Sequence, residues 1–400
     1  MSKSKGRMVI IDGSGYIFRA YYALQQRLTS PDGTPVNAVY GFVNMLLKVI
    51  NDLKPDHLAI TFDTAKPTFR KDLYSEYKAT RVAAPDDLYV QIPKVKELVA
   101  AMNIPIYELA GFEADDCVGT LSRQGEAAGV DVVIVTGDTD TLQLVTDHVK
   151  VYALRKGMKD LVLYGIPEVT EKYGFPPERL VDYKGLRGDS SDNIPGVKGI
   201  GEKGATDLIR EFGSLEDIYA ALDKVKPKVR EKLEADHEMA FLSKKLGTID
   251  TAAPVALSLE AAVTRDFDQK KIEEFLRTLD FYSLIKRIPG SSEKAIEKSL
   301  ERPKKTVKKT GRIESEADAK LCLDRFGDEA VAVIINEKEA SLFGNAGIES
   351  IGLAGATEAV EIVWNEATEK VLTAFFSDTQ RKKIAVDSKA IMHVLRPMDI

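Results

Sequence analysis

Val132-Val133-Ile134-Val135-Thr136-Gly137-Asp138-Thr139-Asp140 begins as an unbroken β-branched apolar run and gives way within a few residues to two aspartates. A run without polar alternation is expected of a strand covered on both faces. Asp138 and Asp140 then fall just past its carboxyl end. The pattern recurs: Ile10-Ile11-Asp12 closes the run Met8–Ile11 and Thr61-Phe62-Asp63 closes Leu58–Phe62, while Val149–Ala153 is a further, near-continuous strand candidate without a closing aspartate. Amphipathic segments of helical period lie between them, notably Val36–Leu53 and Ile92–Met102. Strands alternating with helices predict an α/β fold with a largely parallel sheet. Ligands of such sheets bind at the carboxyl ends of the strands, so Asp12, Asp63, Asp138 and Asp140 are expected to share one crevice.

Two further acidic clusters join this set. Glu113-Ala114-Asp115-Asp116 opens an apolar helix at Cys117–Leu121, and Asp189-Ser190-Ser191-Asp192 follows Gly188. Helical i,i+3 spacing predicts that Glu113 shares a face with Asp116, and Asp189 with Asp192. A single aspartate is most often a cap, a turn former or a solvated charge. Recurrence after successive apolar runs is what that ordinary role does not explain. Crowded carboxylates raise one another's pKa, and hard divalent cations relieve the repulsion through all-oxygen ligation. The four histidines are scattered, at 57, 148, 237 and 393, which disfavours zinc. Two ions about 3.5–4 Å apart suit phosphodiester hydrolysis without a protein nucleophile, and the expected cofactors are two Mg²⁺ or Mn²⁺.

Basic and aromatic residues follow Asp63, in Thr68-Phe69-Arg70-Lys71 and Tyr77-Lys78-Ala79-Thr80-Arg81. Alone this run reads as an exposed helix. Beside an acidic crevice its cations are placed to hold a phosphate and its rings to stack an unpaired base. Further on, Gly196-Val197-Lys198-Gly199-Ile200-Gly201-Glu202-Lys203-Gly204-Ala205 precedes a strong helix at Ala205–Phe212. Glycines let backbone approach phosphate, and a helix N-terminus offers free amides. This reads as a helix–hairpin–helix clamp that grips duplex without reading sequence. A plain packing corner is the alternative.

The composition is that of a globular protein, 44% apolar and 30% charged, and its net charge of −6 argues only weakly against nucleic acid because distribution decides. No apolar run reaches the roughly 20 residues of a membrane span. Two distant cysteines, Cys117 and Cys322, fit a reducing compartment, so a cytoplasmic location is expected. The organisation predicted is an α/β core at 1–170, a helical DNA-binding region at 171–290, a solvated linker at 291–312 with eight basic and three acidic residues, and resumed α/β pattern at 313–400. The segment 384–395 looks like the start of a further strand–helix unit, as if truncated.

Together these motifs resemble the 5′-nuclease, or flap endonuclease, family, in the branch that opens bacterial DNA polymerase I. The resemblance covers residues 8 to about 288. It rests on Ile11-Asp12-Gly13, Thr61-Phe62-Asp63, Tyr77-Lys78-Ala79-Thr80-Arg81, Phe112-Glu113-Ala114-Asp115-Asp116, Gly137-Asp138-Thr139-Asp140 and the run from Gly185 to Val197, in this order. It implies a PIN-like core with a helical arch and a helix–three-turn–helix motif, removing RNA primers and flaps in replication and repair. By the same resemblance, Asp12, Asp63, Glu113, Asp115 and Asp116 would hold a first metal, with Asp138, Asp140, Asp189 and Asp192 completing a second. Lys78 and Arg81 would sit over the scissile phosphate, with Arg19, Arg70 and Tyr77 as further DNA contacts. Gly196, Lys198, Gly199, Gly201 and Lys203 would grip duplex, with K⁺ at the hairpin. The implied partners are branched, flapped or nicked DNA and RNA-primed DNA, met by a monomer without a membrane.

Residues 313–400 resemble the start of the ribonuclease H-like 3′–5′ exonuclease domain, in degenerate form. The first strand reads Ile335-Asn336-Glu337-Lys338-Glu339, without Asp-x-Glu in any register, and the later motif reads Asp387-Ser388-Lys389-Ala390-Ile391. Three readings of the whole compete: an active structure-specific nuclease, a DNA-binding scaffold that has lost activity, and a PIN-type ribonuclease. The intact carboxylate set favours the first.

Overall fold

The computed structural model describes residues 6–24, 28–154, 161–264, 267–285, 287–288, 308–327, 329–337, 348–355 and 358–385. The chain divides into two compact units, Met1–Leu300 and Glu301–Ile400.

The first unit is built on six strands: β1 (Arg7–Asp12), β2 (His57–Thr61), β3 (Ile106–Tyr107), β4 (Asp131–Thr136), β5 (Val149–Leu154) and β6 (Leu161–Tyr164). Their order is β3-β2-β1-β4-β5-β6, with every neighbouring pair parallel except β5 with β6. The chain grows outward from β1 to β3, then returns to lay β4 on the other side of β1. That reversal opens a crevice at the carboxyl ends. The register sets Asp12 opposite Thr61 and Ile11 opposite Val135, so the three strands end almost level.

Side chains alternate across a strand, and β1 feeds two cores. Val9 and Ile11 pack with the helices Gly13–Ala23, Asn37–Leu53 and Ile92–Ala101, and with Ile272 and Leu276 of helix Gln269–Thr278. Met8 and Ile10 pack with Val118 and Leu121 of helix Ala114–Ala127, and with Leu186, Leu208 and Leu233 of the helical region. The boundary expected at 170/171 therefore crosses a shared core within one compact unit.

In the helical region, Leu180–Arg187 and Glu202–Phe212 are joined by turns in which Gly188, Gly196 and Gly199 take positive φ (72°, 65° and 81°). A Cβ on Gly196 would lie 2.3 Å from the Gly188 nitrogen, so the backbones touch where no side chain fits. The helix–three-turn–helix expectation holds, with its second helix starting three residues earlier than Ala205. The arch contains little helix. Between β2 and Ile92 only Phe69–Leu73 and Asp86–Tyr89 are helical, with turns across 75–80. Lys78 sits there at φ 54°, and Pro85 disfavours helix at the residue before it.

In the second unit, β7 (Lys308–Ile313), β8 (Val331–Glu337), β9 (Ile348–Ala354), β10 (Glu358–Val363) and β11 (Lys383–Ala385) form a sheet in the order β11-β8-β9-β10-β7. β9 runs antiparallel to both of its neighbours, β8 and β10, while β11 runs parallel to β8 and β7 parallel to β10. Val331, Val333, Ile351, Leu353 and Ile362 pack with Leu372 and Phe375 of helix Glu369–Ser377. The linker expected at 291–312 thus loses its last five residues to an edge strand, a place that tolerates charge. Residues 291–307, Lys338, Glu339 and Asp387–Ile391 lie outside the described residues.

Candidate active site

Asp12, Asp63, Asp115 and Asp138 line one crevice of about 1200 Å³ at the carboxyl ends of β1, β2 and β4. Asp12 caps helix Gly13–Ala23: its Oδ1 accepts from the Gly15 N–H and its Oδ2 from the Thr136 hydroxyl, each at 2.9 Å. Asp63 accepts from the Ala114 N–H at 2.8 Å, and its own N–H donates to Ser14 Oγ at 2.8 Å. Asp138 accepts from the Asp140 N–H at 2.8 Å, at the start of the 3₁₀ helix Thr139–Leu144. Asp115 stands in the first turn of helix Ala114–Ala127. Helix N-termini favour all four as anions, but burial and crowding oppose ionisation. Burial lifts Asp12 to about 6, with Asp63 and Asp138 adding to the rise. Burial, then Asp138, Asp12 and Asp63, hold Asp115 well above the usual carboxylate range. Among the described residues none of these four forms an ion pair.

The other five expected ligands are held by cations. Lys78 Nζ pairs with Glu113 at 2.7 Å, and the Tyr77 hydroxyl donates to Glu113 at 3.1 Å. Lys184 Nζ bridges Asp140 and Asp189. Arg81 Nη2 meets Asp192 at 2.5 Å, the Tyr77 hydroxyl donates to Asp192 at 3.2 Å, and the Lys78 N–H donates to the Asp192 carbonyl at 2.8 Å. Among the described residues, accordingly, no three carboxylate, histidine or cysteine groups stand arranged as a finished metal site.

The structure revises several expected placements. Asp116 shows no exposed surface and Arg70 only 2%. They form a two-pronged pair at 2.7 and 2.8 Å, Arg70 also donates to the Leu246 and Thr248 carbonyls, and Asp116 accepts from the Glu113 and Asp250 N–H groups. Asp116 therefore closes the helix start from beneath and does not face the crevice, and Arg70 is turned from any phosphate. Tyr77, buried to 3% exposure, presents its hydroxyl to two carboxylates and has no open ring face for a base. Asp189 and Asp192 share no helical face, because Gly188 at φ 72° ends the helix and the chain turns into an Asp189–Ile194 bridge. Arg19, Lys78 and Arg81 do line the crevice.

Sequence reading missed Thr136, which orients Asp12, and Lys184, which joins Asp140 to Asp189. A lysine five residues before Asp189 in an otherwise apolar helical turn was the available signal. A smaller cavity of about 350 Å³, lined by Asp140, Lys184, Arg187 and Asp189, shares Asp138 and Thr139 with the main crevice.

At the hairpin, Lys198 and Lys203 are exposed, and the Lys198 N–H donates to Asp236 at 2.7 Å. Gly201 has open space around it, Gly199 lies against Lys232, and Gly196 is closed against Gly188. Packing, more than access for a strand, thus explains Gly196.

A largely parallel sheet with an acidic crevice at its carboxyl ends, joined to a helix–turn–helix region, defines a PIN-like fold with a SAM-type helical part. Residues 7–174 match the 5′-3′ exonuclease N-terminal resolvase-like domain, and residues 175–270 the 5′-3′ exonuclease C-terminal SAM fold. The chain belongs to the 5′-3′ exonuclease family. DNA polymerase I of Bacillus caldotenax is 38% identical over 386 residues, covering 96% of this chain and 42% of that protein. DNA polymerase I of Caldicellulosiruptor bescii is 48% identical over 289 residues, 72% of this chain and 34% of that one. The chain thus spans well under half the length of these curated relatives. Among solved structures, phage T5 5′-exonuclease with bound zinc ions is 24% identical, covering 68% of this chain and 99% of that one at a TM-score of 0.52. The catalytic core of Rad2 with DNA substrate is 18% identical, covering 74% and 92% at a TM-score of 0.50. At these identities the likeness establishes the fold. No helix among the described residues is long and apolar enough to cross a membrane.

Proposed function

We propose that this chain is a structure-specific 5′-3′ exonuclease and flap endonuclease, the N-terminal part of a DNA polymerase I, acting on branched, flapped, nicked and RNA-primed DNA in replication and repair. The observation that carries the reading is the gathering of Asp12, Asp63, Asp115 and Asp138, without paired cations among the described residues, in one crevice rimmed by Lys78 and Arg81. The donors are all oxygen, and their raised pKa values mark a repulsion that hard divalent ions relieve. Asp12, Asp63, Glu113 and Asp115 would hold one Mg²⁺ or Mn²⁺, and Asp138, Asp140 and Asp189 a second. Asp192, on this reading, anchors the Lys78–Arg81 turn. Bound divalent ions acidify an attacking water and offset charge on the leaving oxygen.

The chain's own groups do the rest. Lys78, held by Glu113, presents its ammonium at the rim, where a phosphate gathers charge as its bond breaks. Arg81, whose side chain is half exposed, can swing from Asp192 to an adjacent phosphate. Arg19 stands on the crevice wall. Lys198 and Lys203, with the open start of helix Glu202–Phe212, clamp the duplex backbone. Potassium at the hairpin would compete with the Lys232 ammonium, which donates to the Gly199 carbonyl at 2.7 Å. The divalent ions in the phage T5 exonuclease and the DNA in the Rad2 complex support these partners. A cytoplasmic monomer completes the proposal.

The test is cleavage of a 5′-flapped duplex with Mg²⁺ by the wild type and by Asp138→Asn, with binding measured alongside. Cutting near the junction that Asp138→Asn loses supports the proposal. Binding without cutting by the wild type would instead establish an inactive scaffold, and preference for single-stranded RNA a ribonuclease.

A further inference from the structure

Lys184 occupies an unusual position for a lysine. It is 8% exposed, and its stem packs on Gly247, where an added Cβ would lie 3.0 Å from Lys184 Cδ. Its ammonium touches Asp140 and stands 2.9 Å from Asp189. The two carboxylates arrive on different elements, the 3₁₀ helix Thr139–Leu144 and the turn after Leu180–Arg187. Asp12, Asp63, Asp115 and Asp138, next door, have no such partner among the described residues. The two halves of the acidic site are therefore unequal, one crowded and unneutralised, the other already carrying a fixed internal cation.

We infer that the Lys184 ammonium fills the second cation position of the metal-free chain and must be displaced before a second divalent ion binds there. The inference rests on the two-ion reading proposed above. It makes loading sequential. The first ion enters the crevice of Asp12, Asp63 and Asp115, three carboxylates that form no ion pair among the described residues. The second competes with a tethered ammonium and binds more weakly. Displaced, Lys184 opens toward the cavity it shares with Arg187 and Lys172, where a phosphate can take up its charge. Substrate and second ion would then favour one another's binding, since each removes a cost of the other.

Calorimetric titration with Mn²⁺, without DNA, tests this on the whole chain. Wild type should bind two ions with separated affinities. Lys184→Met keeps the stem and removes the charge, and should tighten the weaker site about tenfold or more while leaving the tighter one within about twofold. An unchanged or weakened second site in Lys184→Met would overturn the inference. Fewer than two ions on the wild type would instead defeat the two-ion reading beneath it. Should Lys184→Met fail to fold, amine-reactive labelling of the wild type, read by mass spectrometry, decides. Labelling of Lys184 should rise several-fold as the second ion saturates, relative to Lys198 and Lys203 in the same sample. Constant labelling through that saturation would equally refute displacement.

Discussion

The Arg70 guanidinium spends its N–H groups on Asp116 and on two carbonyls, of Leu246 and Thr248, far along the chain. It ties the base of the arch and the start of helix Ala114–Ala127 to the segment that leaves the helical region. Removing it would strand the Asp116 carboxylate in the interior. Arg70→Ala should therefore cost about 3–5 kcal/mol in urea unfolding, and Arg70→Lys should recover only part, lacking the planar fork. A loss below about 1 kcal/mol would show the pair to be expendable. Lys78 differs, being partly exposed on the crevice rim with Glu113 as its partner. Lys78→Ala should slow single-turnover cleavage about a hundredfold while changing DNA affinity by less than about threefold, because its charge matters most as the transition state forms. Rates within about twofold of wild type would remove Lys78 from the chemistry.

At the scale of elements, the hairpin separates two kinds of glycine. Gly196 is fixed by its positive φ and by contact with Gly188, whereas Gly201 faces open space at the start of a helix. Gly196→Ala should consequently destabilise the fold, and Gly201→Ala should leave stability nearly unchanged. Lys198→Ala with Lys203→Ala should weaken duplex binding uniformly across sequences and reduce the salt slope by about one to two. An unchanged slope would dismiss the clamp. The strands and the crevice were legible in the sequence because apolar runs ending in aspartate encode both burial and polarity at the ends of a parallel sheet. Asp12, Asp63 and Asp138 were found this way, and Asp115 through the acidic cluster that opens helix Ala114–Ala127. The fates of Asp116, Arg70, Tyr77 and Asp192 were not, since whether a charged side chain turns to solvent or to a partner depends on residues distant in sequence. Arg70 meets Asp116 across 46 positions and Leu246 across 176. The arch also misled: its charge pattern suited a helix, but Pro85 and the left-handed Lys78 break it into turns.

At the scale of the whole molecule, the raised carboxylates make stability depend on pH and on divalent ions together. Burial above all, then neighbouring carboxylates, lifts Asp12 and Asp140 to about 6, and Asp115 shifts the same way. In the unfolded chain these groups release their protons near pH 4. Between about pH 4 and 6 the native state thus binds more protons than the unfolded one, so stability falls as pH rises through this window. Raising a carboxyl from about 4 to about 6 corresponds to roughly 3 kcal/mol for one such group. Asp189 acts oppositely and elsewhere: Lys184 and Ser191 outweigh its burial and hold it near 2, so its contribution is lost only as pH falls below about 4. Metal-free protein, kept so with a chelator, should therefore melt several degrees lower at about pH 7.5 than at about pH 5. Saturating Mg²⁺ or Mn²⁺ should raise the melting temperature much more at the higher pH, since ions bind the ionised carboxylates and lift their mutual repulsion. Asp12→Asn with Asp140→Asn removes the two groups that titrate near 6, so it should flatten the metal-free pH dependence and shrink the metal effect. A metal-free melting temperature that rises steadily from pH 5 to 7.5, or an ion effect equal at both, would mean that these carboxylates are not crowded in the native state.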